Sequence, residues 1–193
     1  AAKNLVSVKA LKDRLANTKK VGSVKAELSK VFNIPEDQIK AEIKNIEHHR
    51  SHLASAFFAS PFDEAAILSI DGFGDFTSTM IATGKGNKIE VLDTVIYPHS
   101  AGIFYTSLTQ YLGFPHYGDE YKVMGLAPYG EPKYVDELKK IILFKENGLF
   151  ELNTKYFKHA KEGIAMSWEN GDPHIDSIFS EELEKLLGPA RKN

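Results

Sequence analysis

The chain contains no cysteine. That excludes disulfides and thiolate metal sites, and it leaves any transition metal to histidine and carboxylate ligands. It also fits a reducing, cytoplasmic location. No stretch approaches the ~20 apolar residues of a membrane span. Residues 1–20 are basic and lack the continuous apolar region of a secretory signal, so no membrane partner is expected. A single-signed charge excess is missing too. The net charge is −2, which by itself points neither toward nucleic acid nor away from it. The charge is unevenly spread: residues 1–30 carry +6 and the remainder −8. A basic arm can bind polyanions, but here the basic residues alternate with apolar ones and no aromatic precedes Phe32 to offer a stacking platform. We read the arm as the solvated face of amphipathic helices, and nucleic acid is not expected as a partner. There is no internal repeat and no low-complexity segment.

What is present suits a soluble α/β domain. Of 193 residues, 42% are hydrophobic and 26% charged, enough for one sizeable core. Stripes at Leu5, Val8, Leu11 and Leu15 and at Val21, Val24, Leu28 and Val31 predict helices over 5–16 and 21–33. Residues 33–39 read as a turn into a short helical or irregular element. Residues 43–46 read as a short strand leading into a helix from Glu47 to Ala59, ended by Ser60-Pro61. A β-meander follows, over 65–70, 76–83 and 88–97. Its second connection is Gly84-Lys85-Gly86-Asn87, which we read as a hairpin turn and not a phosphate loop, because it opens no helix. Ser100–Leu112 is a predicted helix closed by Gly113. The run 117–130 reads as a functional loop with a short helix. Residues 131–145 read as a charged helix, Phe150 and Tyr156-Phe157 as short strands, and Ser180–Leu187 as a last helix stopped by Gly188-Pro189.

The chemistry concentrates in two places. His48, His49 and His52 fall within five residues, and Asp71 opens Asp71-Gly72-Phe73-Gly74-Asp75. On a helix, His48 and His52 are four apart and share a face. A carboxylate at a strand end would extend the ligand set to three. His49 points about 100° from His48 and is the weaker ligand. The glycines let the backbone approach a phosphate closely. The plainer reading stands beside this one: a histidine pair satisfied by hydrogen bonds, and a glycine bend between strands. Asp75 is either a neighbour that orients a ligand or turn chemistry. Lys122 is either a phosphate or carboxylate partner or a surface or interdomain salt bridge. Asp119 and Glu120 are either interface or acceptor-binding groups or part of a solvated loop. His99, His159 and His174 read as surface or structural residues.

Taken together, the run Glu47-His48-His49-Arg50-Ser51-His52-Leu53-Ala54-Ser55-Ala56-Phe57 resembles the Glu-His-His-x-x-His-x-x-Ser-Ala-Phe signature of the O-carbamoyltransferase family of the NodU/CmcH type. Ser60-Pro61-Phe62-Asp63-Glu64-Ala65-Ala66 and the Asp71–Asp75 turn follow in that family's order. So do Phe104-Tyr105 to Tyr111-Leu112-Gly113-Phe114, the run Gly118–Gly130, and Leu187-Gly188-Pro189-Ala190-Arg191. The resemblance covers most of residues 40–191.

It implies a ribonuclease-H-like, actin-like ATPase half-domain with a mixed sheet, an antiparallel meander flanked by helices. It divides the chain into a helical lead-in (1–40), an α/β core with the metal and nucleotide motifs (41–130) and a helical and short-strand extension (131–193). It implies carbamoyl transfer from carbamoyl phosphate, through a carbamoyl-adenylate made with ATP, to a hydroxyl of a small-molecule acceptor. By the same resemblance His48, His52 and Asp71 hold a divalent metal, iron or another first-row ion. Gly72 and Gly74 line the nucleotide phosphates, with Lys122 as a further cofactor-binding candidate, and no residue is assigned as catalytic. The family's earlier phosphate-binding strand, its later metal-ligand aspartate and its adenylate-forming domain have no counterpart in these 193 residues. The chain therefore reads as an internal fragment, inactive alone, and its start at Ala1-Ala2 reads as a trimmed end. Two other classes remain: a non-catalytic nucleotide- or metal-binding module, and a relative of the tRNA threonylcarbamoyl-transfer proteins.

Overall fold

The computed structural model describes residues 24–164, 166–169 and 172–192. The described residues fall into two compact units that divide between Glu47 and His48. The predicted helix over 5–16 lies outside the described residues.

In the first unit, helix α1 (Val24–Phe32) forms within the predicted 21–33 segment, and a 3-10 turn over Glu36–Gln38 fills the expected irregular element. Residues 39–47 carry neither helix nor strand. This corrects the strand expected at 43–46. Ile43 and Ile46 are exposed and pair with no strand among the described residues.

The second unit begins with helix α2 (His48–Phe58). Its buried residues are His49, Leu53 and Phe57, one stripe at four-residue spacing. That stripe packs on a three-stranded antiparallel meander: β1 (Glu64–Gly74), β2 (Thr77–Lys85) and β3 (Lys88–Ile96), in spatial order β1-β2-β3. The strands bury Ile67, Met80 and Ala82 against Leu53 and Phe57. Each fully buried side chain of this size contributes ~1.5–3 kcal/mol. The helix can lie this close because residue 84 has no side chain: a Cβ at Gly84 would stand 2.7 Å from the Phe57 ring. The antiparallel meander and its flanking helices were legible in the alternation of apolar residues.

One irregularity in β1 positions the site. Ile70 pairs with Thr79 and Gly74 with Thr77. Asp71, Gly72 and Phe73 therefore stand opposite Ser78 alone, and the strand bulges there. The chain then reverses through Asp75, whose φ of 56° lies in the left-handed region that aspartate tolerates.

Helix α3 (Ala101–Tyr111) is capped by Ser100, whose hydroxyl accepts from the Ile103 amide. It ends at Gly113, with φ of 87°. Helix α4 (Glu120–Leu126) and a 3-10 turn over Ala127–Tyr129 follow, so the loop read over 117–130 does contain a short helix. The charged helix expected over 131–145 shrinks to α5 (Val135–Leu138). Beyond it, β4 (Ile142–Phe144) pairs with β5 (Phe150–Leu152) around Asn147-Gly148. Gly148 takes φ of 79°, so hairpin geometry overrides helical propensity here. Tyr156 belongs to a 3-10 turn and Phe157 to an isolated bridge with Phe179, which corrects the strand expected at that pair. Helix α6 (His159–Glu162) leads to a hairpin of β6 (Met166–Glu169) and β7 (Asp172–Ile175), which periodicity did not predict. Helix α7 (Glu181–Leu187) ends at Gly188 as expected, with φ of 95°. A second core gathers Ile103, Ile141, Leu152, Tyr156, Phe157, Ile178 and Leu183.

Candidate metal centre

The buried stripe of α2 fixes the rotation of the helix, and that rotation aims the histidines. With Leu53 and Phe57 turned into the sheet, His49 goes with them. It is fully buried, its Nδ1 2.8 Å from the Ser69 hydroxyl and its Nε2 2.9 Å from the Thr77 carbonyl oxygen. The weaker ligand of the sequence reading is thus a core residue. His48 and His52, on the adjacent stripe, reach the rim where β1 bulges. The first turn of α2 is met by Asp75, whose Oδ2 lies 3.4 Å from the His48 amide nitrogen.

At that rim three donor atoms converge. His48 Nε2 lies 2.9 Å from Asp71 Oδ2 and 3.0 Å from His52 Nε2, and His52 Nε2 lies 3.9 Å from Asp71 Oδ2. Protons serve this arrangement poorly. If His48 Nε2 donates to the carboxylate, it has no lone pair left for His52. If it accepts from His52, its lone pair faces the carboxylate. A cation satisfies all three atoms. First-row divalent ions take imidazole nitrogen and carboxylate oxygen at ~2.0–2.2 Å, which sets neighbouring ligand atoms ~3 Å apart. Two of the three separations match, and the third, His52 Nε2 to Asp71 Oδ2, is 3.9 Å. The donor set fits a divalent ion. It is the only such histidine–carboxylate group among the described residues.

Asp71 is held from several sides. Partial burial pushes its carboxyl upward, but the His48 hydrogen bond and the Gly72 amide, 2.6 Å from Oδ1, outweigh it and hold the group below the usual carboxylate range. Its carbonyl oxygen accepts from the Ser100 hydroxyl at 3.1 Å. The start of α3 lies directly on the glycine segment: a Cβ at Gly102 would stand 2.9 Å from Gly72 Cα and N.

The two glycines differ. A side chain at Gly72 would meet nothing within 4 Å, so this backbone faces open space beside the carboxylate. A Cβ at Gly74 would fall 1.9 Å from His48 Cδ2. Gly74 makes room for the imidazole.

His48, His52, Asp71, Gly72 and Gly74 are thus brought together. Lys122 sits on α4, its ammonium 2.7 Å from the buried Asp119 carboxylate, which also accepts from the His116 amide. That ion pair raises the Lys122 pKa. Glu120 accepts a hydrogen bond from the Thr106 hydroxyl at 2.5 Å, tying the same loop to α3. The sequence reading missed Ser69 and Thr77, which hold His49, and Ser100 and Gly102, which brace the glycine segment. Only Ser100 left a signal, as a capping residue ahead of a helical stripe.

The family model described as "Carbamoyltransferase N-terminus" matches residues 8–179. The chain is 47% identical over 156 residues to the nodulation protein NolNO of Sinorhizobium fredii, covering 76% of this chain and 22% of that protein. It is 45% identical over 93 residues to the nodulation protein NolO of Bradyrhizobium diazoefficiens, covering 48% of this chain and 17% of that protein. An uncharacterized protein of Synechocystis is 50% identical over 122 residues, covering 63% of this chain and 20% of that protein. The chain thus spans 17 to 22% of the length of these relatives.

Proposed function

The chain belongs to the carbamoyltransferase family, matching that family's N-terminal region over residues 8–179, and on that premise we propose that the whole protein is an O-carbamoyltransferase. It transfers a carbamoyl group from carbamoyl phosphate, through a carbamoyl-adenylate made with ATP, to a hydroxyl of a small-molecule acceptor. In this reading the second unit is part of an actin-like ATPase half-domain, and the reaction is cytoplasmic. The observation that carries the proposal is the convergence of His48 Nε2, His52 Nε2 and Asp71 Oδ2 beside an open glycine backbone.

His48, His52 and Asp71 would hold a divalent metal ion, iron or another first-row ion, which when bound neutralises phosphate charge and polarises an oxygen. The remaining work falls to the chain itself. The buried stripe of α2 keeps both imidazoles at the rim, and His49 locks that stripe through Ser69 and Thr77. Gly72 leaves its face free for close approach by a phosphate group. The Ser100 hydroxyl and the start of α3 hold the Asp71 backbone in place. Such fixed positioning of the reacting groups supplies much of the rate in group transfer. Lys122, already paired with Asp119, would contribute to cofactor binding only by exchanging that partner.

The test is metal content and affinity in the whole protein and in the double variant His48→Ala/His52→Ala, with carbamoyl transfer assayed in parallel. Stoichiometric metal and transfer activity that are lost together support the proposal. Metal and ATP binding without transfer to any hydroxyl acceptor would favour a non-catalytic module. Metal content unchanged in the double variant would remove the site.

A further inference from the structure

We propose that Phe73 is a positioning residue for the Asp71 carboxylate, the anchor that fixes the bulged segment 71–73 against the second core; its consequence for metal affinity rests on the metal reading above. The segment needs an anchor. Ladder pairing holds β1 up to Ile70 and again at Gly74, and Asp71, Gly72 and Phe73 fall between those pairs. Residues 72 and 74 are glycines, so Phe73 is the one side chain between Asp71 and Asp75 that can grip the fold.

Its ring packs into the second core, with its centroid 5.2 Å from that of Tyr97 and 6.2 Å from that of His159. This seat is itself fastened. His159 Nε2 lies 2.7 Å from the Pro98 carbonyl oxygen, and the Tyr97 hydroxyl donates to the His159 carbonyl at 2.6 Å. The Tyr97 amide donates to the Phe76 carbonyl at 2.8 Å, which binds the seat to the end of the same hairpin. The Phe157 ring closes on His159 at 5.5 Å.

The donor set is therefore drawn from two separately packed cores. His48 and His52 ride on α2, whose stripe belongs to the core of Leu53, Phe57 and Ile67. Asp71 rides on a bulge gripped by the core of Ile103, Tyr156 and Phe157. Ligand groups must be held within ~0.5 Å of their working positions. The Ser100 hydroxyl holds the Asp71 carbonyl, but Phe73 is the side chain that ties the carboxylate's segment into a packed core.

The experiment compares Phe73→Ala, Phe73→Leu and the control Leu183→Ala, which hollows the same core from α7. The whole protein is titrated with Co²⁺, reading Kd and the visible ligand-field bands, and amide hydrogen exchange is followed over residues 71–75. We expect Phe73→Ala to weaken Co²⁺ binding by about tenfold or more, to change the band shape and to speed exchange at Gly72, Phe73 and Gly74. Phe73→Leu should recover most of the affinity. Leu183→Ala should lower thermal stability while leaving Kd within about twofold of the parent, well inside the change expected for Phe73→Ala, with exchange over 71–75 unchanged. A Phe73→Ala protein with parental affinity, or a Leu183→Ala protein that loses affinity equally, would overturn the proposal. If the parent binds no Co²⁺, the metal reading fails. The exchange arm still decides the anchor: faster exchange over 71–75 in Phe73→Ala alone supports it, and unchanged exchange refutes it.

Discussion

Replacing Gly74 by alanine adds one methyl group at the point where the candidate metal centre has no spare room. The new Cβ would lie 1.9 Å from His48 Cδ2, 2.4 Å from Cγ and 2.7 Å from Nε2. Ordinary contact begins at 3.4 Å, so the imidazole must retreat by about 1.5 Å before dispersion turns favourable. A ligand group tolerates displacement of only ~0.5 Å. The retreat therefore breaks both short contacts of His48 Nε2, at 2.9 Å to Asp71 and 3.0 Å to His52. The ring is half-exposed and can swing toward solvent, which places the stability cost at the low end of the ~1–3 kcal/mol usual for overpacking. In a domain of this size that is a fall in Tm of about 2–4 °C. Metal affinity should fall by at least about tenfold. Gly72→Ala is the matched control, because its Cβ would meet nothing within 4 Å, and it should leave both quantities close to the parent's. The assay is calorimetric titration with Zn²⁺ or Co²⁺, paired with thermal unfolding of the same samples. A Gly74→Ala protein that binds metal with parental affinity would refute the reasoning.

Gly102→Ala sets a Cβ 2.9 Å from Gly72 backbone atoms, which cannot rotate away; thermal unfolding should show a loss of ~1–3 kcal/mol. Gly125→Ala, on a helix with open space around it, should instead stabilise by ~0.5–1 kcal/mol, and the opposite order of the two would refute the packing described. His49→Leu removes the partner of Ser69 and of the Thr77 carbonyl; chemical denaturation should show a loss of ~1–3 kcal/mol or more. His159 is held below the ordinary imidazole range by burial, with Pro98 opposing, and His99 is lowered by burial as well. The unfolded chain then binds more protons than the folded one near pH 6, so stability should be flat above ~7.5 and decline as pH falls below ~6.5. Denaturation midpoints at pH 8, 7, 6 and 5.5 test this. A midpoint that rises toward pH 5.5 contradicts the sign, and His159→Gln should flatten the slope.

The sequence made the three candidate ligands legible but not their scaffold, and the reason lies in what each pattern depends on. His48 and His52 were readable because helical spacing alone places residues four apart on one face. Asp71 was readable because the glycines beside it mark a departure from strand geometry. The role of Gly74 was not. The same dipeptide pattern serves a phosphate contact and a notch for a side chain, and only the approach of α2 distinguishes them. Strands β1 to β3 were legible as alternation and tight turns. The helix read over 131–145 failed because Ile142-Leu143-Phe144 has apolar residues that suit either period, and the choice was made by Asn147-Gly148 and by pairing with Phe150–Leu152. Phe73 illustrates the same limit. In sequence it is the unspecified residue of a glycine turn, free to vary. In the fold it is the side chain that ties into packed core a segment that the β ladder releases, and it grips through Tyr97 and His159, which lie 24 and 86 residues away along the chain. Spacing can nominate the atoms that meet a ligand. Which residues hold those atoms still is decided by packing between elements distant in sequence, and there the local pattern carries no signal.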